Sequence, residues 1–212
     1  MRALTPKSAL IFRMVHRDNI PWILDHGLHC SNSGARDPKY VEIGNTDLID
    51  RRADHRVKCA PSGTLSDYVP FYFTPFSPMM FNIKTGWGGV RKRVNEEMVI
   101  MASSLHLLYA KGIRFLFTDR HAYLAAAQFY SDIDHLDRID WDILRRRDFK
   151  NDPDDPGKKE RYQAETLVHK LLPVEALSEF VCYDENVLAG LTKAIEERGM
   201  TIKASKRTDW YF

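Results

Sequence analysis

Apolar positions in this chain fall in short runs bounded by turn residues. Residues 8–15, SALIFRMV, form the first such run and predict a strand. HRDNIPWILDHGLHC follows with the punctuation of a short helix: Asp18 or Asn19 as N-cap, Pro21 in the first turn, and Ile20, Ile23 and Leu24 as the apolar side. Gly27 fits the position just past its end. Residues 31–67 are polar and irregular and predict a long loop, which inside a compact domain is usually functional or flexible. Residues 68–74, YVPFYFT, are strand-like, and Pro70 predicts an edge or a bulge. Ser77 and Pro78 open a short helix through Met79, Met80 and Phe81. Further strands are expected at 97–104, 113–118 and 177–183, and helices at 120–130, 140–147 and 185–198, the last closed by Gly199. The tail TIKASKRTDWYF ends in aromatics that are costly to expose, which predicts that it is tied into a sheet. Many strands, few helices and no regular βαβ alternation give an α+β fold.

One segment departs from simple patterning. KKERYQAETLVHK turns from polar to alternating without Gly or Pro. On the alternating reading Tyr162, Ala164, Thr166 and Val168 share one face, and Gln163, Glu165, Leu167 and His169 the other. Glu165 then has two readings: a charge on the solvated face of a half-buried strand, or a catalytic acid on a rigid element.

The chain has 212 residues and no linker-like composition, so one domain spanning 1–212 is expected. Hydrophobic residues are 44% and charged residues 28%, enough for a core. The net charge of +2 and pI near 8.4 do not by themselves mark a nucleic-acid binder, although a mildly basic chain can gather its cations on one face. Cys30, Cys59 and Cys182 lie far apart without a CxxC pair, which argues against a disulfide framework or zinc site and fits a reducing cytoplasm. The first residues hold too short an apolar run for a signal peptide, and no stretch is long enough to span a membrane.

The common dinucleotide, P-loop and nucleophile-elbow signatures are absent. GWGG at 86–89 could cradle a phosphate through backbone N–H groups, but no helix clearly follows it and an ordinary turn is the favoured reading; His26 and His29 lack further ligands for a metal. Three features remain beside Glu165. Arg51 and Arg52 stand among Asp47, Asp50 and Asp54, either as a local salt-bridge network or as guanidinium forks for phosphate or developing negative charge. YVPFYFTPFSPMMF gathers aromatic and methionine side chains around Tyr72 and Met79, as core or as a platform for flat rings. FTDRH places Asp119, Arg120 and His121 at the end of a strand.

Together these residues resemble the DarT-type DNA ADP-ribosyltransferases, toxins of a bacterial toxin–antitoxin system. The resemblance covers nearly the whole chain: HxxNIxxILxxG from His16 to Gly27, RR at Arg51 and Arg52, GTLxDYVPFYFxP from Gly63 to Pro75, SPMM from Ser77, FTDRH from Phe117, QAE at Gln163 to Glu165, and the closing DWYF. It implies an ADP-ribosyltransferase-like split β-sandwich with peripheral helices, NAD+ as co-substrate without a metal, and a base of single-stranded DNA as acceptor, thymidine ahead of guanine. A macrodomain antitoxin of the DarG type is the implied partner. Glu165 and Arg52 take the catalytic positions. Arg13, His16, Asn19, Gly27, Arg52 and Tyr72 fall at dinucleotide-binding positions, with Arg13 standing where the family commonly carries His. Arg51, Tyr72, Met79, His121, Arg145, Arg146, Arg147, Lys158, Lys159 and Gln163 are the DNA-contact candidates. Residues 145–162 correspond to the loop that presents substrate, although aspartates at 152, 154 and 155 equally suit a solvated loop. Transfer to protein or RNA, and a non-catalytic nucleotide- or nucleic-acid-binding module, are the competing functional readings.

Overall fold

A computed structural model describes residues 4–212; the first three residues of the expected 1–212 domain lie outside the described residues. In chain order its elements are β1 (Leu10–His16), α1 (Ile20–His26), β2 (Leu28–His29), α2 (Thr46–Asp54), β3 (Tyr68–Tyr72), α3 (Pro78–Thr85), β4 (Met98–Ser104), α4 (Leu105–Ala110), β5 (Phe115–Thr118) and β6 (Phe129–Tyr130). They continue with α5 (Trp141–Arg146), α6 (Lys158–Tyr162), β7 (Glu165–His169), β8 (Leu171–Leu172), β9 (Glu179–Cys182), α7 (Glu185–Glu196) and β10 (Lys203–Lys206). Short 3-10 turns join several of them.

The main sheet runs β10-β9-β4-β1-β3-β7-β5-β6, and β2 and β8 pair separately. Its neighbours are antiparallel except β10, which adds to β9 in parallel. The sheet is not uniformly knitted. β1 and β4 stay in register from Leu10↔Ser104 to His16↔Met98, whereas β1 and β3 share the single pair Phe12↔Tyr72. The sheet therefore splits between β1 and β3 into two four-stranded halves, the α+β split sandwich that the resemblance implies. Pro70 accounts for part of the split. β3 is interior in strand order, not the edge that Pro70 predicted, yet Pro70 pairs only with Leu167 of β7. Proline has no N–H to offer a second neighbour. Toward β1 its carbonyl instead accepts from Arg13 Nη1 at 2.8 Å.

Two cores lie on the sheet. The larger includes Ile11, Phe71, Val99, Phe117, Val168 and Phe180; the smaller is Val57, Leu65, Tyr68, Leu116, Ala122 and Leu167. Val168 enters one and Leu167 the other, so β7 is covered on both faces. The half-buried alternation expected for it is overturned: Glu165, Thr166, Leu167 and Val168 are all buried. Strand geometry also begins later than expected. Tyr162 ends α6, and Gln163 is its C-cap, with Nε2 donating to the carbonyl of Lys159 at 3.1 Å.

Two other expectations are corrected. Residues 120–130 form turns ending in β6, not a helix. Their backbone donors are engaged outside a helical ladder: His121 N–H reaches Glu160 O, Ala122 N–H reaches Glu165 Oε1, and Gln128 N–H reaches Asp119 Oδ1. The 31–67 loop contains α2, begun by Asn45, whose side chain accepts from Leu48 N–H at 2.9 Å. No residue of α2 is fully buried, which is why its sequence shows no apolar stripe. The tail joins the sheet through β10, while its aromatics pack beyond the strand. Trp210 lies edge-on to Phe12, and Tyr211 donates to the carbonyls of Met98 and Val181.

Gly27 ends α1 at φ 77°, and a Cβ there would come within 2.7 Å of the Leu172 carbonyl oxygen. Both the left-handed backbone and the close approach of β8 require glycine. Gly27→Ala is expected to destabilise the fold by about 1–3 kcal/mol, read as a lower urea midpoint at unchanged m-value.

Candidate active site

The split between β1 and β3 opens a cleft enclosing about 960 Å3, part of it open to solvent. Its floor is set by register. Tyr72 of β3 stands opposite Glu165 of β7, and directly opposed residues in an antiparallel pair project from the same face. Both line the cleft. α2 supplies the opposite wall. Asn45, Leu48, Ile49 and Arg52 line the cleft at spacings of three and four residues, one face of a helix. The same periodicity turns Arg51 out to solvent, where it is exposed.

Glu165 is 1% exposed and fully partnered. Arg52 grips it with both terminal nitrogens, Nη1 to Oε1 at 3.2 Å and Nη2 to Oε2 at 3.0 Å. Ala122 N–H donates to Oε1 at 3.1 Å, and His121 Nε2 lies 3.7 Å from the same oxygen. The backbone is pinned as well, with Glu165 N–H donating to Thr118 Oγ1 at 3.2 Å. Burial pushes the Glu165 carboxyl up, but Arg52, His121 and the Ala122 N–H outweigh it and hold the group below the usual carboxylate range. The strand therefore presents a fixed carboxylate, facing a guanidinium carried by the last turn of α2.

His121 is held neutral. Burial is the main cause of its lowered pKa, opposed by Glu165 and reinforced by Arg52 and His55. Its Nδ1 accepts from Tyr123 N–H at 3.3 Å, so the proton sits on Nε2, the nitrogen facing Glu165. Burial also raises the Tyr72 phenol, with Glu165 adding to the effect, so it stays protonated beside the carboxylate. His121 and Glu165 have an acid-side signature. Between the lowered pKa of His121 and its ordinary value of 6.5, the unfolded chain binds more protons, so its contribution to stability is complete above that window and is lost progressively as pH falls through it. Glu165, also lowered, loses its contribution only further down, from its ordinary 4.5 toward its folded value. Melting temperature is expected to fall between pH 7 and pH 5 in the wild type, and to fall less in His121→Gln.

The remaining candidates divide by location. Arg13 lines the cleft with Nη1 on the Pro70 carbonyl, and its buried Nε has no hydrogen-bond partner. Met79, at the start of α3, lines the cleft too. His16, Asn19 and Gly27 do not line it. His16 accepts from Asp18 N–H and faces Glu97; Asn19 clamps residue 41 through Nδ2–H to Val41 O and Val41 N–H to Oδ1; Gly27 admits β8. These three shape the first turn and the strand beside the cleft from behind. Gln163 is likewise outside, because the α6 cap turns it away from the face of Glu165. His26 and His29 pack on Trp22.

The expected DNA-facing loop neutralises much of its own charge. Lys158 is buried between Asp148 and Asp152, Arg145 pairs with Asp142 and donates to Leu4 O, and the Arg147 guanidinium lies 3.6 Å over the Phe76 ring. Arg146 and Lys159 are exposed. Sequence reasoning missed Arg36, which lines the cleft with its guanidinium 4.0 Å over Tyr40 and paired to Glu42; its Nε is also buried without a partner. No motif marked it, although it lies in the loop whose length had already set it apart.

A profile of the family described as "DarT: ssDNA thymidine ADP-ribosyltransferase, DarT" matches residues 12–212. A DNA ADP-ribosyl transferase of Escherichia coli O127:H6 (strain E2348/69 / EPEC) is 50% identical over 210 residues, covering 99% of this chain and 96% of the relative. The solved structure of Thermus sp. 2.9 DarT in complex with ADP-ribosylated ssDNA superposes with a TM-score of 0.90 at 30% identity over 100% of both chains. The same protein in complex with NAD+ gives 0.85 at 29% identity, over 98% of this chain and 99% of that one. A DNA ADP-ribosyl transferase-DNA ADP-ribosyl glycohydrolase fusion protein of Thermosipho africanus (strain H17ap60334) is 22% identical over 200 residues, 93% of this chain and 48% of the fusion. The split sheet, the buried carboxylate in its cleft and these relatives converge: the chain belongs to the DarT family of single-stranded-DNA thymidine ADP-ribosyltransferases.

Proposed function

We propose that this protein transfers ADP-ribose from NAD+ to the N3 nitrogen of thymidine in single-stranded DNA, with Glu165 and Arg52 as its catalytic pair. The observation that carries the reading is the two-pronged Arg52–Glu165 contact inside the cleft. The cleft suits a dinucleotide chemically. Arg13 and Arg36 bring two guanidinium groups with buried, unpartnered Nε–H donors, the chemistry that a diphosphate satisfies. NAD+ supplies an anomeric carbon whose bond to nicotinamide breaks with its electron pair moving onto the pyridinium ring.

As that bond breaks, positive charge develops on the ribose. A buried carboxylate, aligned in advance by Arg52 and Ala122 N–H, stabilises that charge without reorganising. The thymine N3 that bonds to the sugar must lose its proton. Glu165 is its acceptor, held in position by Arg52 and the Ala122 N–H, with neutral His121 Nε2 3.7 Å away. Tyr72 and Met79 border the same space and offer flat, polarisable surface to the base. A base unpaired in a single strand presents N3 without the cost of opening a duplex.

The fusion relative, which joins a transferase to a DNA ADP-ribosyl glycohydrolase, supports a partner of that opposing activity, a DarG-type macrodomain antitoxin. Three free cysteines support a cytoplasmic site of action. Among the described residues no helix is long and apolar enough to cross a membrane. The reading is tested by incubating the protein with NAD+ and mixed-sequence oligonucleotides, digesting to nucleosides and weighing them. ADP-ribosyl-thymidine is the expected product; ADP-ribosyl-guanosine overturns the choice of base, and label on lysate protein alone overturns the choice of acceptor.

A further inference from the structure

The GWGG stretch, an ordinary turn by sequence, is placed at the rim of the cleft. α3 begins with Met79 in the cleft wall and runs into it. Gly86, Gly88 and Gly89 hold positive φ of 79°, 69° and 77°, a path that lifts Trp87 away from the body. Trp87 is 70% exposed, more than any other exposed large hydrophobic side chain among the described residues. Such an indole buries little of its surface in the fold and is free to cover something else.

The turn is also fastened to the catalytic wall. Asn45 caps α2 through Oδ1 and donates from Nδ2 to the carbonyl of Gly88 at 3.2 Å. Arg93, at the far end of the turn, donates to the carbonyl of Ile83 and through Nη2 to that of Glu42, another residue of the cleft wall. The indole therefore has a fixed relation to the helix that carries Arg52.

Charge completes the surface. Lys84, Arg91 and Lys92 flank Trp87 in sequence, and none forms an ion pair among the described residues. This contrasts with Lys158, Arg145 and Arg161, whose charges are met by aspartates. Cations without protein partners beside an exposed aromatic ring are the two components of a single-strand binding surface: phosphates meet the charges and a base stacks on the ring.

We infer that Trp87, with Lys84, Arg91 and Lys92, forms a stacking platform for single-stranded DNA that holds the strand across the mouth of the cleft. The inference rests on the proposed DNA acceptor and moves the main backbone contact from residues 145–162 to 84–92. The test is an NAD+-free titration of a fluorescein-labelled, thymidine-containing oligonucleotide, read by anisotropy and by quenching of tryptophan emission, at several salt concentrations. W87A is expected to weaken binding about ten- to a hundredfold and abolish most of the quenching, while W87F keeps most of the affinity. K84Q/R91Q/K92Q is expected to lower the slope of log affinity against log salt by about 2. The charge-matched control K7Q/K111Q/K193Q, outside the cleft, keeps the wild-type slope. Affinity and quenching unchanged in W87A, or identical slopes in the two triple variants, overturn the platform. Loss of antitoxin binding in W87A with DNA binding intact also overturns it and marks a protein interface. Failure of wild type to modify any oligonucleotide counts against the proposed function and is seen in the separate mass assay, since the titration needs no turnover.

Discussion

Glu165→Gln is expected to reduce ADP-ribose transfer to a thymidine oligonucleotide by about 10²–10⁴-fold while the protein stays folded. Gln preserves the volume of the side chain and can still accept from Ala122 N–H, so the packing of β7 survives. It removes the negative charge that faces the reacting sugar and the base that takes the N3 proton. Both losses fall on the transition state, so kcat should drop with little change in the affinity for NAD+. Glu165→Ala adds a structural cost, because it leaves the Arg52 guanidinium without its partner in a mostly buried position. Measuring both variants by product mass and by thermal melting separates the roles. Equal activity of Glu165→Gln and wild type would remove the basis of the mechanism.

Arg52 carries the second large effect. Arg52→Ala is expected to lower transfer by about 10²–10³-fold, and Arg52→Lys to recover little of it. The reason is geometric: the guanidinium spans both carboxylate oxygens, at 3.2 and 3.0 Å, and a lysine ammonium is a point charge that cannot. Arg51→Ala, one residue away and exposed, is expected to stay within about threefold of wild type in single-turnover assays. Equal losses at both positions would show that the basic pair acts through net charge, with the orientation of α2 irrelevant.

The contrast between these two arginines shows where sequence stops being informative. Strand existence was legible in β1, β3, β4, β5, β7 and β9 because apolar runs between turn residues report burial locally. The caps of α3 at Ser77 and of α7 at Gly199 were legible for the same local reason. The resemblance marked Glu165 and Arg52 without showing that they touch. What failed were segments whose hydrogen bonds go to partners far along the chain. Residues 120–130 have helical composition, yet Ala122 N–H is committed to a carboxylate 43 residues away. α2 was hidden because it buries nothing fully and faces a cleft.

By itself, then, the sequence determined the α+β class, the residue types able to carry the chemistry and the backbone position past α1 that only Gly27 can fill. Tertiary structure decided which of those residues meet. Pairing of β1 with β3 at one register alone opens the cleft, the opposition of Tyr72 and Glu165 sets its floor, and the turn of α2 brings in Arg52 and sends Arg51 to solvent. It also met the charge of Lys158 with aspartates while leaving Lys84, Arg91 and Lys92 without ion-pair partners among the described residues. The physical reason is range: propensity and burial act over a few residues, whereas an ion pair or a strand register joins positions more than a hundred residues apart, and only the folded chain brings those within 4 Å.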